Sequence, residues 1–167
     1  MGSRPLTKVF HAHQRALMVE YVEEWPYGFK DASEKGYPRV MNRAMYFCKF
    51  MDVDCHNHIE AYTTAVEVAE CVYLVGNTWV NEDYRGQGIH AEMLQWRNGI
   101  LKETFGATDI ITLLNPQEGA SLEQLQKVVS SLGYRRLKWS DLRKMGVPIS
   151  VRMQIRRSRL QFWGKSL

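Results

Sequence analysis

The segment Arg85-Gly86-Gln87-Gly88-Ile89-His90 brings two glycines, a cation and an imidazole to the point where an apolar run gives way to a helical pattern. Amides at a helix N-terminus attract anions, because the first turn leaves its N–H groups without intrahelical partners and the helix dipole adds positive potential. Glycines at 86 and 88 remove the side chains that would hold a pyrophosphate away from those amides. The same pattern also occurs where glycine only turns the chain.

Other residue groupings point to less. His11 with His13, and Cys55 with His56 and His58, have spacings that could grip a metal on a strand, but they equally suit a polar turn and a helix start, so no metal is expected. No Gly-x-Ser-x-Gly elbow is present, and Cys55 beside His56 does not by itself produce nucleophile geometry. Cys48, Cys55 and Cys71 lack a CxxC spacing and suit reduced packing thiols.

The elements that must position the glycine segment follow from periodicity. An apolar stretch at Val9 and Phe10 predicts a strand, and Leu17, Met18, Tyr21, Val22 and Trp25 recur at helical spacing before Pro26. Residues 27–38 are polar and glycine-bearing, which predicts loop with one short helix. Runs at 45–53, 59–68 and 71–80 are rich in β-branched and aromatic residues, and their short links predict an antiparallel meander. Gly76 inside the third run predicts a bulge or a close approach.

Beyond the glycine segment, Ile89, Met93, Trp96 and Ile100 predict a helix face that ends at Gly106, and residues 109–114 predict a strand. Asn115-Pro116 predicts a turn, and Ser121 with Gln124 predicts a capping box. Leu122, Leu125, Val128, Val129 and Leu132 predict a buried stripe closed by Gly133. Residues 134–139 and 149–155 are the last predicted strands. The expected fold class is α/β: a mixed, mostly antiparallel central sheet with helices on both faces.

Within that frame, residues 85–90 resemble the cofactor signature of the GCN5-related N-acetyltransferase (GNAT) family, Gln/Arg-x-x-Gly-x-Gly/Ala. Arg85 matches its first position and Gly88 its fourth, while His90 replaces the small sixth residue. Thr78-Trp79-Val80-Asn81-Glu82-Asp83-Tyr84 is similar to the family's lead-in, residues 110–115 to its fifth strand with a terminal asparagine, and Leu132-Gly133-Tyr134 to its closing helix-glycine-aromatic signature. The resemblance covers residues 72–137.

It implies a sheet splayed between the fourth and fifth strands (71–80 and 109–114) and acetyl transfer from acetyl-CoA to an amine by direct attack. Val80 would pair with the pantetheine arm, the Arg85, Gly86, Gln87, Gly88, Ile89 and His90 loop would hold the pyrophosphate, and Asn115 would face the arm across the gap. The imidazole of His90 would either cap the pyrophosphate or pack. Val129 stands where many members place a tyrosine that protonates the leaving thiolate. The leaving thiolate would then take its proton from water or from Tyr134, with no acid assigned between them, and Glu67 or Glu70 is the candidate base, directly or through water.

Composition bounds the rest. The chain has 167 residues, 45% of them hydrophobic and 24% charged, which fits one domain over 1–167 and excludes a disordered or collagen-like chain. No apolar run approaches the roughly 18 residues of a membrane span, and residues 1–8 lack a signal-peptide core, so a cytoplasmic location is expected. Residues 135–167 hold ten basic side chains against Asp141 alone, or +9, while the first 134 residues carry 12 basic and 17 acidic ones, or −5.

That asymmetry suits a polyanionic partner or a phosphate-bearing cofactor. The expected activity is acetyl-CoA-dependent N-acetylation of an amine acceptor. The alternative is a GNAT-fold protein associated with nucleic acid through 135–167, either non-catalytic or modifying an amine on tRNA or DNA. The acceptor and the oligomeric state are not legible in the sequence.

Overall fold

In this computed structural model the chain is described over residues 6–12, 15–22, 44–50, 59–116 and 121–167. Short links dictate its first half. Two residues join β1 (Leu6–Ala12) to β2 (Arg15–Val22), which forces an antiparallel hairpin, and β2 then pairs β3 (Ala44–Phe50) along its other edge. The helix predicted from Leu17 to Trp25 is therefore a strand over its described part. Its apolar residues fit helical spacing, but partners on both edges override that local preference. The predicted loop at 27–38 lies outside the described residues, as do His13, Cys55, His56 and His58.

The meander forms as expected: β3 pairs β4 (Ile59–Ala69), and β4 pairs β5 (Val72–Val80), all antiparallel. Tyr62 faces Trp79 and Thr64 faces Gly76, so two residues of β5 oppose Thr63 alone and the strand bulges there. Gly76 takes φ 153° at this kink, a backbone conformation that glycine tolerates.

After β5 come a 3-10 turn (Glu82–Tyr84), α1 (Ile89–Phe105) and β6 (Asp109–Leu114). Strand β6 runs parallel to β5, but only from Val72↔Asp109 to Val75↔Thr112. Beyond Val75 the two strands part, which is the expected splay.

Helix α2 (Leu122–Ser131) starts with the predicted Ser121/Gln124 capping box. Its apolar stripe is less covered than its pattern suggests: none of it is fully buried, and Val128 is 49% exposed.

The last third departs most from expectation. Only Arg135–Arg136 (β7) is strand before α3 (Trp139–Lys144), and the predicted strand at 149–155 is helix α4 (Ile149–Ser158). Alternation of Ile149, Val151, Met153 and Ile155 suits a strand, yet Val151 and Ile155 lie one helical turn apart and are both buried, while Ile149 is exposed. Asp141 starts α3: its carboxylate accepts the Lys138 N–H at 2.6 Å, and that bond, with Arg135 alongside, holds its pKa below the usual carboxylate value.

Strand β8 (Gln161–Ser166) was not foreseen. It inserts between β6 and β7 and completes the order β1-β2-β3-β4-β5-β6-β8-β7. Gly164 makes that insertion possible, because a Cβ there would lie 2.7 Å from Leu137.

Alternate residues of β5 and β6 sort the core into two layers. Tyr73, Val75 and Ile110 pack with Ile89, Met93 and Leu101 of α1, whereas Val72, Leu74, Ile111 and Leu113 pack with Leu142 of α3 and with Val151 and Ile155 of α4. Helices thus cover both faces of a mixed, mostly antiparallel α/β sheet, as expected, and α3–α4 lie on the face opposite α1.

Candidate active site

The splay leaves a cleft of about 240 Å³ beyond Val75. Strand β5 contributes Gly76 and Thr78, β6 contributes Asn115 at its end, α1 contributes His90 and Arg97, α2 contributes Val129, and Tyr134 closes the wall. Asn115 and Tyr134 thus reach the cleft as the sequence suggested.

At the same end of β5 the chain turns into α1. Asn81 Oδ1 accepts the Asp83 N–H, and the Arg85 Nε–H donates to the Val80 carbonyl at 3.0 Å. The Arg85 side chain therefore folds back onto its own strand, and its exposed ion pair with Glu82, at 3.9 Å, adds little. Gly86 and Gly88 have φ of 78° and 76°, in the left-handed region, and a Cβ on either would meet nothing within 4 Å.

Gly88 is the N-cap of α1, without a side-chain cap, so the amides of the first turn have no intrahelical acceptor. Ile89 contributes only its amide here, since its side chain is buried in the core. The open glycine surface, the uncapped terminus of a 17-residue helix and the adjoining cleft fit a long, anionic ligand such as coenzyme A.

Glu67 and Glu70 lie elsewhere. Both are exposed near the β4–β5 turn, where β5 begins, whereas the cleft opens where β5 leaves β6. Glu67 accepts the Tyr73 hydroxyl at 3.1 Å, and neither carboxylate lines the cleft. Among the described residues, no group of three or more metal-ligating side chains forms, and no helix is long and apolar enough to cross a membrane.

Arg97 is the site residue that sequence reasoning missed. It is 2% exposed and occupies the buried stripe of α1 with Ile89, Met93 and Leu101, so the stripe runs one residue away from the predicted Trp96 and Ile100, which are half-buried. The available signal was a cation at i+4 spacing within an apolar row. Its Nη1 donates to Thr63 Oγ1 at 2.9 Å, its Nε to Asn98 Oδ1 at 3.1 Å, and its Nη2 to the Tyr134 hydroxyl at 3.5 Å. Burial lowers its pKa to about 10, which keeps it cationic at neutral pH.

Desolvation, and then the Arg97 charge, lower the pKa of His90 below 6.5. His90 is therefore neutral at pH 7. Because the unfolded chain binds this proton more readily, the site costs nothing above pH 6.5 and destabilises the fold as pH falls through the folded pKa. We expect His90→Gln to flatten the acid side of the stability–pH curve, as read by urea melts between pH 5 and pH 7. An unchanged curve would contradict this assignment.

Three solved structures place this geometry among known folds. An IAA acetyltransferase from Bacillus cereus ATCC 14579 is similar with a TM-score of 0.56 at 15% identity, over 90% of this chain and 99% of its own. A GNAT-family acetyltransferase from Staphylococcus aureus Mu50 is similar with a TM-score of 0.52 at 15% identity, over 74% and 68%. N-acetylglutamate synthase from Neisseria gonorrhoeae, solved with coenzyme A and N-acetyl-glutamate, is similar with a TM-score of 0.55 at 10% identity, over 73% of this chain and 25% of that one. No family sequence model and no curated protein sequence matches the chain. The parted parallel strands, the glycine turn into α1 and these three likenesses agree, and the chain has the GCN5-related N-acetyltransferase fold.

Proposed function

We propose that this protein is an acetyl-CoA-dependent N-acetyltransferase. The observation that carries the reading is a coincidence of place: the open Gly86/Gly88 turn into α1 and the cleft between β5 and β6 lie at one end of β5. Acetyl-CoA would supply an activated acyl group on a thiol that leaves. The amides from Gln87 to His90 would bind its pyrophosphate, helped by Gly86, while Val80 and Asn115 flank the pantetheine arm. Arg85 secures the loop through the Val80 carbonyl.

Tyr134, buried in the cleft wall with its hydroxyl held by Arg97, would offer the proton that the leaving thiolate needs. The acceptor would attack as the neutral amine, its proton lost to water, while the Tyr134 proton leaves with the thiol. Glu67 and Glu70, near the β4–β5 turn and outside the cleft lining, would not act as the base. Calorimetric titration with acetyl-CoA tests the binding step, and thiol release in an amine, peptide and aminoacyl-tRNA screen tests the transfer. Absence of acetyl-CoA binding by the folded protein would end the reading.

A second reading, nucleic-acid association, is favoured by one observation: α3 and α4 expose Arg143, Lys144, Arg156 and Arg157, with Arg159 just beyond. Their face is opposite α1, whose His90 and Arg97 line the cleft, so this charge lies on the other side of the sheet. If duplex DNA or tRNA binds there, affinity should fall steeply between roughly 50 and 200 mM salt. Replacing Arg156, Arg157 and Arg159 together with Gln should flatten the slope without changing CoA affinity. No binding to either polymer at low salt removes this reading.

A further inference from the structure

Arg97 carries a full charge in a place where charges are seldom left alone. Its three hydrogen-bond partners, Thr63, Asn98 and Tyr134, are all neutral, and no carboxylate among the described residues pairs with it. A guanidinium has five N–H donors, so one N–H on each terminal nitrogen remains after these bonds. Thr63 is itself hydrogen-bonded to Thr78 at 2.9 Å, so the groups that hold the guanidinium are neutral and leave its charge uncompensated. A desolvated ion of this kind is unfavourable until a counter-charge arrives.

The side chain lines the cleft, so that counter-charge can come from a ligand. Arg97 sits eight residues along α1 from Ile89, a backbone rise of about 12 Å from the amides assigned to the pyrophosphate, so the counter-charge would sit deeper in the cleft. A carboxylate is the anion that most often takes N–H groups from both terminal nitrogens of a guanidinium.

We propose that Arg97 is the recognition residue for a carboxylate on one of the two reactants, so that the cleft selects a carboxylate-bearing substrate. This deepens the transferase reading and rests on it. Two sources share this chemistry: the far end of a dicarboxylic acyl chain on the donor, or a carboxylate on the amine acceptor.

Calorimetry with CoA, acetyl-CoA, succinyl-CoA and glutarate distinguishes them in the native protein and in Arg97→Gln and Arg97→Lys, each checked for folding by thermal melting. If the donor carries the group, succinyl-CoA binds the native protein roughly 10- to 100-fold tighter than acetyl-CoA, the preference vanishes in Arg97→Gln, and Arg97→Lys keeps part of it. If the acceptor carries it, the two thioesters bind alike, and glutarate binds the CoA-saturated native protein but not Arg97→Gln. Equal thioester affinities together with no glutarate binding overturn the proposal in the native protein alone, whatever the variants do. Failure of CoA to bind sinks the transferase reading separately, and glutarate titrated into the free protein then still decides the role of Arg97.

Discussion

Gly88→Glu should abolish acetyl-CoA binding, with affinity falling more than about 100-fold in calorimetry while the protein stays folded. The residue caps α1 at φ 76°, where an L side chain costs about 1–2 kcal/mol. A carboxylate at a helix N-terminus returns about 0.3–1 kcal/mol through the dipole, so the net loss of stability is small. Nothing within 4 Å of the added Cβ belongs to the protein, so the side chain would point into the space that the pyrophosphate needs.

Bulk and like charge then act together on the ligand alone. Gly88→Ala is the control: it carries the same backbone strain without the charge and should lower the melting temperature while keeping measurable binding. Full affinity in a folded Gly88→Glu protein would remove the glycine turn from the site.

Tyr134→Phe should lower kcat by about 100-fold or more, the scale at which a positioned proton donor contributes, and leave CoA affinity unchanged. Tyr134 is 8% exposed and its hydroxyl makes one long bond, 3.5 Å from Arg97 Nη2, so removal of that oxygen costs little structure. Val129 lines the same cleft from α2, at the position where the family resemblance places a tyrosine. Val129→Tyr added to Tyr134→Phe should therefore restore turnover. A Tyr134→Phe enzyme with native kcat would show that the thiolate takes its proton from water.

Features decided by near neighbours in the chain were legible from the residues. The glycine turn into α1, its stop at Gly106, the Ser121/Gln124 capping box, the bulge at Gly76 and the short-linked meander each depend on a few adjacent positions. Backbone sterics and hydrogen-bond reach settle such features whatever surrounds them. The glycine turn over residues 85–90 belongs to this class, which is why Gly86 and Gly88 stand out in the sequence.

The rest waited on partners distant in the chain. The predicted helix beginning at Leu17 became β2 because strands on both sides supplied its hydrogen bonds, and 149–155 became α4 because the sheet face needed Val151 and Ile155 together. Strand β8 carries little alternation of its own, and the gap between β6 and β7, with Gly164 against Leu137, gives it its place. Glu67 and Glu70 are close in sequence to cleft residues, yet an extended strand advances about 3.3 Å per residue and carries them to the far end of the sheet.

Arg97 shows the division most sharply. Its one-dimensional context is a charged residue within a helix, which ordinarily faces water. Only the packing of α1 against β4 and β5 turns that position inward, beside Thr63 and Tyr134, and burial there lowers its pKa yet leaves it a cation in the cleft wall.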